Sequence, residues 1–285
     1  MPQPNSILIA VVLIVLLATG CASSPQESSK EESMSLAAKA AARIRDGAYT
    51  DPWAAITALN RAIELEPEFA EAYRLRALAY SQIGDDLQAV RDYSRIIQIE
   101  PENSEAIYLR GTNYSRMGQS REAVSDYDRV IQMAPDNATA YFSRAVEFEQ
   151  MGQYAAAIRD LSRAIELRPD FTEAYLIRGS IHMKKGDHHL AVQDFNHILV
   201  HDPRNKTAYT LLCAAYGKHK AYETAIEHCR EAIWLDPYNS LNFANRGAAY
   251  GFLGNIDAAC LDFEKACQLG DCDALAAARD RGYCP

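Results

Sequence analysis

From residue 55 onward, the apolar and polar positions of this 285-residue chain recur with one period. Ala55, Ala89, Ala123, Ala157, Ala191, Ala225 and Ala259 stand 34 residues apart, as do Pro67, Pro101, Pro135, Pro169, Pro203 and Pro237. Gly84, Gly118, Gly152, Gly186 and Gly254 keep the same step, with Lys220 where the missing glycine would stand. Proline cannot continue a helix and pushes the residue before it out of the α region, so each proline is expected to stop a helix. Each glycine suits the left-handed position just past a helix end. Every period therefore predicts a helix, a glycine turn, a second helix and a proline stop, as in AYFSRAVEFEQMGQYAAAIRDLSRAIELRP, residues 140–169. Ala77, Gly111, Ala145, Gly179 and Gly247 are expected to face the alanine series and let the two helices approach closely. Tyr73, Tyr141, Tyr175 and Tyr209 share the fourth place of the period, and Tyr80, Tyr114, Tyr216 and Tyr250 the eleventh, which makes the tyrosines repeated packing residues.

A charged series runs through the same pattern. With each proline placed at position 32, position 7 is Arg76, Arg110, Arg144, Arg178, Leu212 and Arg246, and position 23 is Asp92, Asp126, Asp160, Asp194, His228 and Asp262. The period that loses the arginine also loses the aspartate. Facing positions of an antiparallel helix pair have a nearly constant index sum, and positions 7 and 23 fit it, as do apolar pairs such as 8 and 24. A bidentate, partly buried ion pair between the two helices is predicted, serving register more than net stability. In the exceptional period, positions 8 and 24 are Cys213 and Cys229, which predicts a disulfide across the same helix pair.

A helix-turn-helix unit of 34 residues resembles the tetratricopeptide repeat. The resemblance covers residues 34–273 and implies an all-α fold, a right-handed superhelical α-solenoid of about seven units. Those units are 34–69, 70–103, 104–137, 138–171, 172–205, 206–239 and 240–273, followed by a C-terminal capping helix and tail in 274–285. The first unit departs from the pattern, with extra residues around Thr50, Asp51 and Pro52 and an Ala-rich helix from Leu36 to Asp46, and reads as a modified N-terminal cap. In this family the first helices line a concave face, with ligand-facing positions 2, 5, 9, 12 and 13. Carried onto this sequence, position 5 is Arg74, Tyr108, Phe142 and Leu176 in successive units, and position 9 is Leu78, Thr112, Val146 and Ser180. Arg116, with Gln82, Gln150 and Lys184, would form a polar rim. Apolar side chains at a nominally exposed position in three consecutive units make an interaction strip suited to an extended peptide or an amphipathic helix. The same side chains also suit local packing between neighbouring first helices. The family's carboxylate clamp, Lys at position 5 and Asn at position 9, is absent.

The N-terminus reads as an address. Residues 7–17 are an apolar run of 11, short of the roughly 20 a membrane-spanning helix needs but right for a signal-peptide core. Leu17-Ala18-Thr19-Gly20-Cys21 follows and resembles the bacterial lipobox, although residues 1–6 carry no Lys or Arg. The resemblance implies a tetratricopeptide repeat lipoprotein with a signal peptide at 1–20, lipidated Cys21 and a flexible tether through residue 33. Ala22 after the cysteine resembles the outer-membrane sorting class, which places the chain on the periplasmic side of the cell envelope. Six further cysteines, an even number, fit an oxidising compartment. Besides Cys213 with Cys229, Cys272 and Cys284 are candidates to pin the short final helix, Ala274 to Arg281. Cys260 and Cys267 are seven apart on one helix, about 10 Å along its axis, too far to bond each other.

Charge and candidate chemistry narrow the function. A net charge of -9 offers no general attraction to phosphate backbones, so no nucleic-acid partner is expected. All seven histidines fall between His182 and His228, but Ile198 stands where an HExxH motif needs its glutamate, and the cysteine spacings match no zinc finger. No GxSxG elbow or phosphate-binding glycine loop is present. The expectation is a non-enzymatic scaffold that needs no cofactor or metal and binds a protein partner in its groove. A receptor for a small envelope ligand such as a cell-wall fragment is the alternative, and a metal-dependent hydrolase the remote one.

Overall fold

The computed structural model describes residues 25–45 and 48–285. The signal segment 1–20 and the lipidation candidate Cys21 lie outside the described residues. Two compact units divide the chain, one ending at Pro101 and one beginning at Glu102. The first contains α1 (Pro25–Ala41), a two-residue antiparallel ladder of β1 (Ile44–Arg45) and β2 (Ala48–Tyr49), α2 (Pro52–Leu65), α3 (Ala70–Gln82) and α4 (Asp86–Ile99). The second contains α5 (Ser104–Arg116), α6 (Ser120–Met133), α7 (Ala138–Gln150), α8 (Tyr154–Leu167), α9 (Thr172–Lys185), α10 (His188–His201), α11 (Lys206–Lys218), α12 (Tyr222–Leu235), α13 (Ser240–Phe252), α14 (Ile256–Gln268) and α15 (Asp273–Asp280). Within each unit, successive helices pair and each pair packs on the next, as expected for the repeat.

The punctuation acts as its chemistry requires. Asn103, Asn137 and Asn205 cap α5, α7 and α11 by accepting a hydrogen bond from the backbone N–H three residues on. Glu66 and Arg168, the residues before Pro67 and Pro169, leave the helix at φ -138° and -139°. Gly84, Gly118, Gly152, Gly186 and Gly254 all adopt positive φ, and Lys220 adopts φ 65° in the same turn. A side chain there costs about 1–2 kcal/mol relative to the right-handed conformation.

Position 8 is small because position 24 is large. A Cβ on Gly179 would lie 2.5 Å from the Phe195 ring, one on Gly247 2.7 Å from Phe263, and one on Gly111 3.0 Å from Tyr127. Where position 24 is the smaller Leu161, position 8 is Ala145, and both are fully buried. Gly111 and Gly179 thus face position 24 rather than the alanine series, whereas Gly247 faces both Phe263 and, as expected, Ala259, whose carbonyl oxygen would lie 3.1 Å from such a Cβ.

The interhelical ion pair is present in every unit that carries the residues. Nε and Nη2 of Arg76, Arg110, Arg144, Arg178 and Arg246 donate to the two carboxylate oxygens of Asp92, Asp126, Asp160, Asp194 and Asp262 at 2.6–3.1 Å. The remaining arm reaches back to the preceding pair: Arg76 Nη1 to Asn60 at 2.7 Å, Arg144 Nη1 to Asp128 at 2.6 Å and Arg178 Nη1 to Ser162 at 2.8 Å. Hydrogen bonding to Asp160 raises the pKa of the Arg144 guanidinium against the opposing effect of burial, and Asp128 adds to the rise. Aromatic rings at positions 4 and 11 flank the cation, with Arg76 5.5 Å from the Tyr73 ring and 5.9 Å from the Tyr80 ring.

The sixth period solves the same problem differently. Leu212 is fully buried, Cys213 and Cys229 form the expected disulfide with Cα atoms 5.0 Å apart, and the His228 ring stacks on Tyr216 at 5.0 Å with Tyr209 at 6.0 Å. An imidazole thus occupies the aromatic slot that holds a guanidinium elsewhere.

Two expectations are corrected. The first helix begins at Pro25, not Leu36, and ends at Ala41, not Asp46; residues 25–33 are helical rather than a tether. Ser33 is fully buried and its hydroxyl donates to Ala62 O at 3.1 Å, while Ser29 donates to Leu65 O, so these serines fasten the segment to α2. Of the extra residues of the first unit, Thr50 donates to the Arg43 carbonyl, Asp51 caps α2 and Pro52 opens it, while Gln82 clasps the Tyr49 backbone through both its amide atoms. At the other end Cys272 does not pair with Cys284. Cys284 bonds Cys260, and Cys272 bonds Cys267, because the chain turns tightly at Gly270 and brings Cys272 back to the end of α14. The final helix falls within one residue of its expected place.

Two expected outcomes follow from this geometry. Lys220→Gly relieves the left-handed strain and is expected to raise stability by about 1 kcal/mol in urea denaturation; a loss would show that the lysine side chain contributes more than the strain costs. Burial pushes the imidazoles of His228 and His182 below their ordinary value. The unfolded chain, whose imidazoles titrate near about 6.5, takes up these protons at higher pH than the folded chain does. These groups leave stability untouched above about pH 7, lower it as pH falls through about 6.5, and stop lowering it once the folded imidazoles also charge. The double variant His182→Tyr, His228→Phe should therefore show a flatter decline of melting temperature than the parent between about pH 7 and pH 5, followed by circular dichroism. Identical slopes would refute the assignment.

Candidate functional site

The groove residues come from the first helix of each pair. In the first unit, Arg74 and Leu78 lie on α3. Arg74 is half exposed and engages Glu71 through two hydrogen bonds of 2.6 and 2.7 Å, and Leu78 packs against that unit's core.

In the second unit the residues fall into two neighbouring groups. The Tyr108 hydroxyl on α5 shares a hydrogen bond of 3.0 Å with Ser143 on α7, its ring lies 5.6 Å from Tyr127, and Thr112 donates to the Tyr108 carbonyl. Burial pushes the Tyr127 phenol up to about 12, so it remains protonated beside the Thr112 and Ser143 hydroxyls. Arg116 is exposed at the end of α5. Behind this group Glu147 is almost wholly buried; one carboxylate oxygen accepts from Ser115, and the other has no hydrogen-bond partner among the described residues.

The second group surrounds a cavity of about 270 Å³ between α7, α9 and α11. Val146, Leu176, Ile177 and Leu211 form its apolar walls, and Glu149, Ser180 and Thr207 bring polar atoms to it. Ser180 spends its donor on the Leu176 carbonyl at 2.7 Å, and Lys184 forms an ion pair with Glu149. Phe142, one turn before Val146 on α7, holds its ring 4.7 Å from Phe171 and does not line this cavity.

The structure thus joins Val146, Leu176 and Ser180 in one concavity and Tyr108 and Thr112 in a hydroxyl-rich patch. It modifies one expectation: Tyr108, Phe142 and Leu176 are half-buried, not exposed, because Tyr108 meets Ser143 of the next pair, Phe142 meets Phe171, and Phe142 and Leu176 both pack against the buried core. Packing and groove lining are combined in the same side chains. Sequence reasoning missed Ile177 and Leu211, which occupy position 6, outside the ligand-facing set. It also missed Glu147, although a carboxylate at position 10, where four of the sister units carry Ala or Ile, marks it. Among the described residues no group of three or more His, Cys, Asp or Glu is arranged to hold a metal ion. No described helix is long and apolar enough to cross a membrane.

Comparison with known proteins places this geometry. Tetratricopeptide repeat patterns match residues 54–84, 113–178, 172–199 and 242–269. Among curated proteins none matches the chain significantly. Among solved structures, a tetratricopeptide repeat protein from Parabacteroides merdae superposes with a TM-score of 0.62 at 19% identity, over 86% of this chain and 96% of that one. YrrB, a tetratricopeptide repeat protein described as having an unusual peptide-binding site, gives 0.56 at 23% identity over 66% of this chain and 96% of its own. A MamA chain from Desulfovibrio magneticus gives 0.56 at 20% identity, over 58% of this chain and 94% of that one. With helix pairs of the expected period, ion-paired and punctuated as described, and with these pattern matches along it, the chain belongs to the tetratricopeptide repeat family.

Proposed function

We propose that this protein is a membrane-anchored scaffold of the bacterial cell envelope that captures an extended segment of a protein partner on the first-helix face of its repeats. The cavity between α7, α9 and α11 carries this reading. Its volume suits one or two side chains, its walls are apolar, and Glu149, Ser180 and Thr207 stand where a peptide backbone passing over it would need polar neighbours. An apolar partner side chain seated there would act as the anchor, with the Tyr108 and Ser143 hydroxyls one repeat away available to the flanking residues. YrrB, described as having an unusual peptide-binding site, supports peptide binding by a fold of this kind.

The lipobox-like sequence ending at Cys21 supports attachment through lipid, and Ala22 supports the outer membrane. The even number of remaining cysteines, with all six in disulfides, supports an oxidising compartment such as the periplasm.

A photo-crosslinking residue at exposed position 207 in cells is expected to capture a discrete partner through an extended segment. Ser180→Trp fills the cavity mouth and should reduce that crosslink about tenfold while helix content is retained. Crosslinks from position 207 no different from those at Val200, which is 73% exposed on a second helix, would refute the groove. Capture of a cell-wall fragment instead of a polypeptide would replace the scaffold reading with the small-ligand one.

A further inference from the structure

The C-terminal end holds a second concavity unrelated to the first-helix groove. The last helix, α15, has 8 residues where a first helix such as α13 has 13, and it covers α14 incompletely. A cavity of about 430 Å³ is left between α13, α14, α15 and the tail. This lies within the range of small-molecule sites, roughly 300–1,000 Å³.

Its lining has a simple chemistry. Ala274, Ala277 and Ala278 of α15 face Gly251, Phe252 and Ile256, and small side chains on both walls leave the space open. Phe252 is 71% exposed although its ring stacks on Tyr222 at 4.8 Å, and Tyr283 is 58% exposed. Arg281 is the sole charged side chain in the lining, and it forms no ion pair or hydrogen bond among the described residues. Exposed aromatic surface beside an unneutralised guanidinium, in a chain of net charge -9, calls for a ligand that is apolar along its length and anionic at one end. The Cys260–Cys284 disulfide fixes the tail that supplies Arg281 and Tyr283, so the two ends of the site are held at a set distance.

We propose that this cavity binds a single-chain amphipathic carboxylate, with its acyl chain between α13 and α15 and its head on Arg281. A peptide would bury amide groups against alanine and phenylalanine side chains that offer them no hydrogen bonds, whereas an acyl chain has no polar group to desolvate except its head.

The test is calorimetric titration of the full chain with dodecanoate below its micelle concentration, alongside dodecanol and dodecyltrimethylammonium. Saturable 1:1 binding is expected, with dodecanoate the tightest of the three. Arg281→Ser should weaken dodecanoate about tenfold and leave dodecanol unchanged. Ala277→Trp, at an exposed position that fills the cavity without disturbing the core, should abolish both, with circular dichroism verifying the fold. Equal binding in the parent and the Ala277→Trp protein, preference for the cationic amphiphile, or no saturable binding of dodecanoate would each overturn the proposal. Ser180→Trp serves as the control for the other groove and should leave dodecanoate binding intact, so the two readings fail separately.

Discussion

A guanidinium held by two carboxylate oxygens is the constraint around which five of the repeats are arranged. The planar fork of arginine accepts one orientation, so the pair from Arg144 to Asp160 fixes how the two helices of its unit are rotated and how far one is slid along the other. Its third arm on Asp128 extends the same constraint to the preceding pair. Burying such an ion pair adds little net stability over a well-packed apolar substitute, but losing one partner leaves a buried charge at a cost of about 3–5 kcal/mol. The value of the series is thus that it penalises wrong register. The tyrosines at positions 4 and 11 then become intelligible as the walls of the slot in which each arginine lies.

Once register is fixed, the faces follow. Positions 5 and 9 of a first helix are brought beside the next first helix with defined spacing, which is why Val146, Leu176 and Leu211 from three helices can enclose one cavity. The close approach at Gly179 on α9 and the Cys213–Cys229 bond on α11 leave little slack for these helices to rotate. A partner would therefore meet a surface that is already organised and would lose little to reordering it.

What could be read from the sequence was what the period repeats. The ion pairs, the helix stops, the glycine turns and the Cys213–Cys229 disulfide all depend on two positions of a unit whose relation is the same in every copy. What could not be read lies where the period ends. Residues 25–33 are rich in Ser and Glu and lack an apolar stripe, so nothing in their pattern announces that Ser29 and Ser33 fasten them to α2. Beyond Leu269 the chain leaves the repeat, and the turn at Gly270 decides which cysteines meet. The half-burial of Tyr108 depends on Ser143, which the neighbouring repeat presents to it and which an index within one unit does not contain. Asn242 is a further case: it is fully buried where sister units have alanine, its amide atoms have no hydrogen-bond partner among the described residues, and nothing in the structure explains it.

The exchange of one ion pair for a covalent bond has a mechanical side. Repeats held by packing and charge can be drawn out in turn by tension along the chain, each yielding its full contour. The loop closed by Cys213 and Cys229, of sequence separation 16, and the loop closed by Cys260 and Cys284, of separation 24, cannot be drawn out at all while oxidised. Together they withhold roughly 140 Å of extended length from any pull on the chain ends. The loops 213–229 and 260–284 are thereby the inextensible parts of the molecule, and the second supplies much of the wall of the C-terminal cavity.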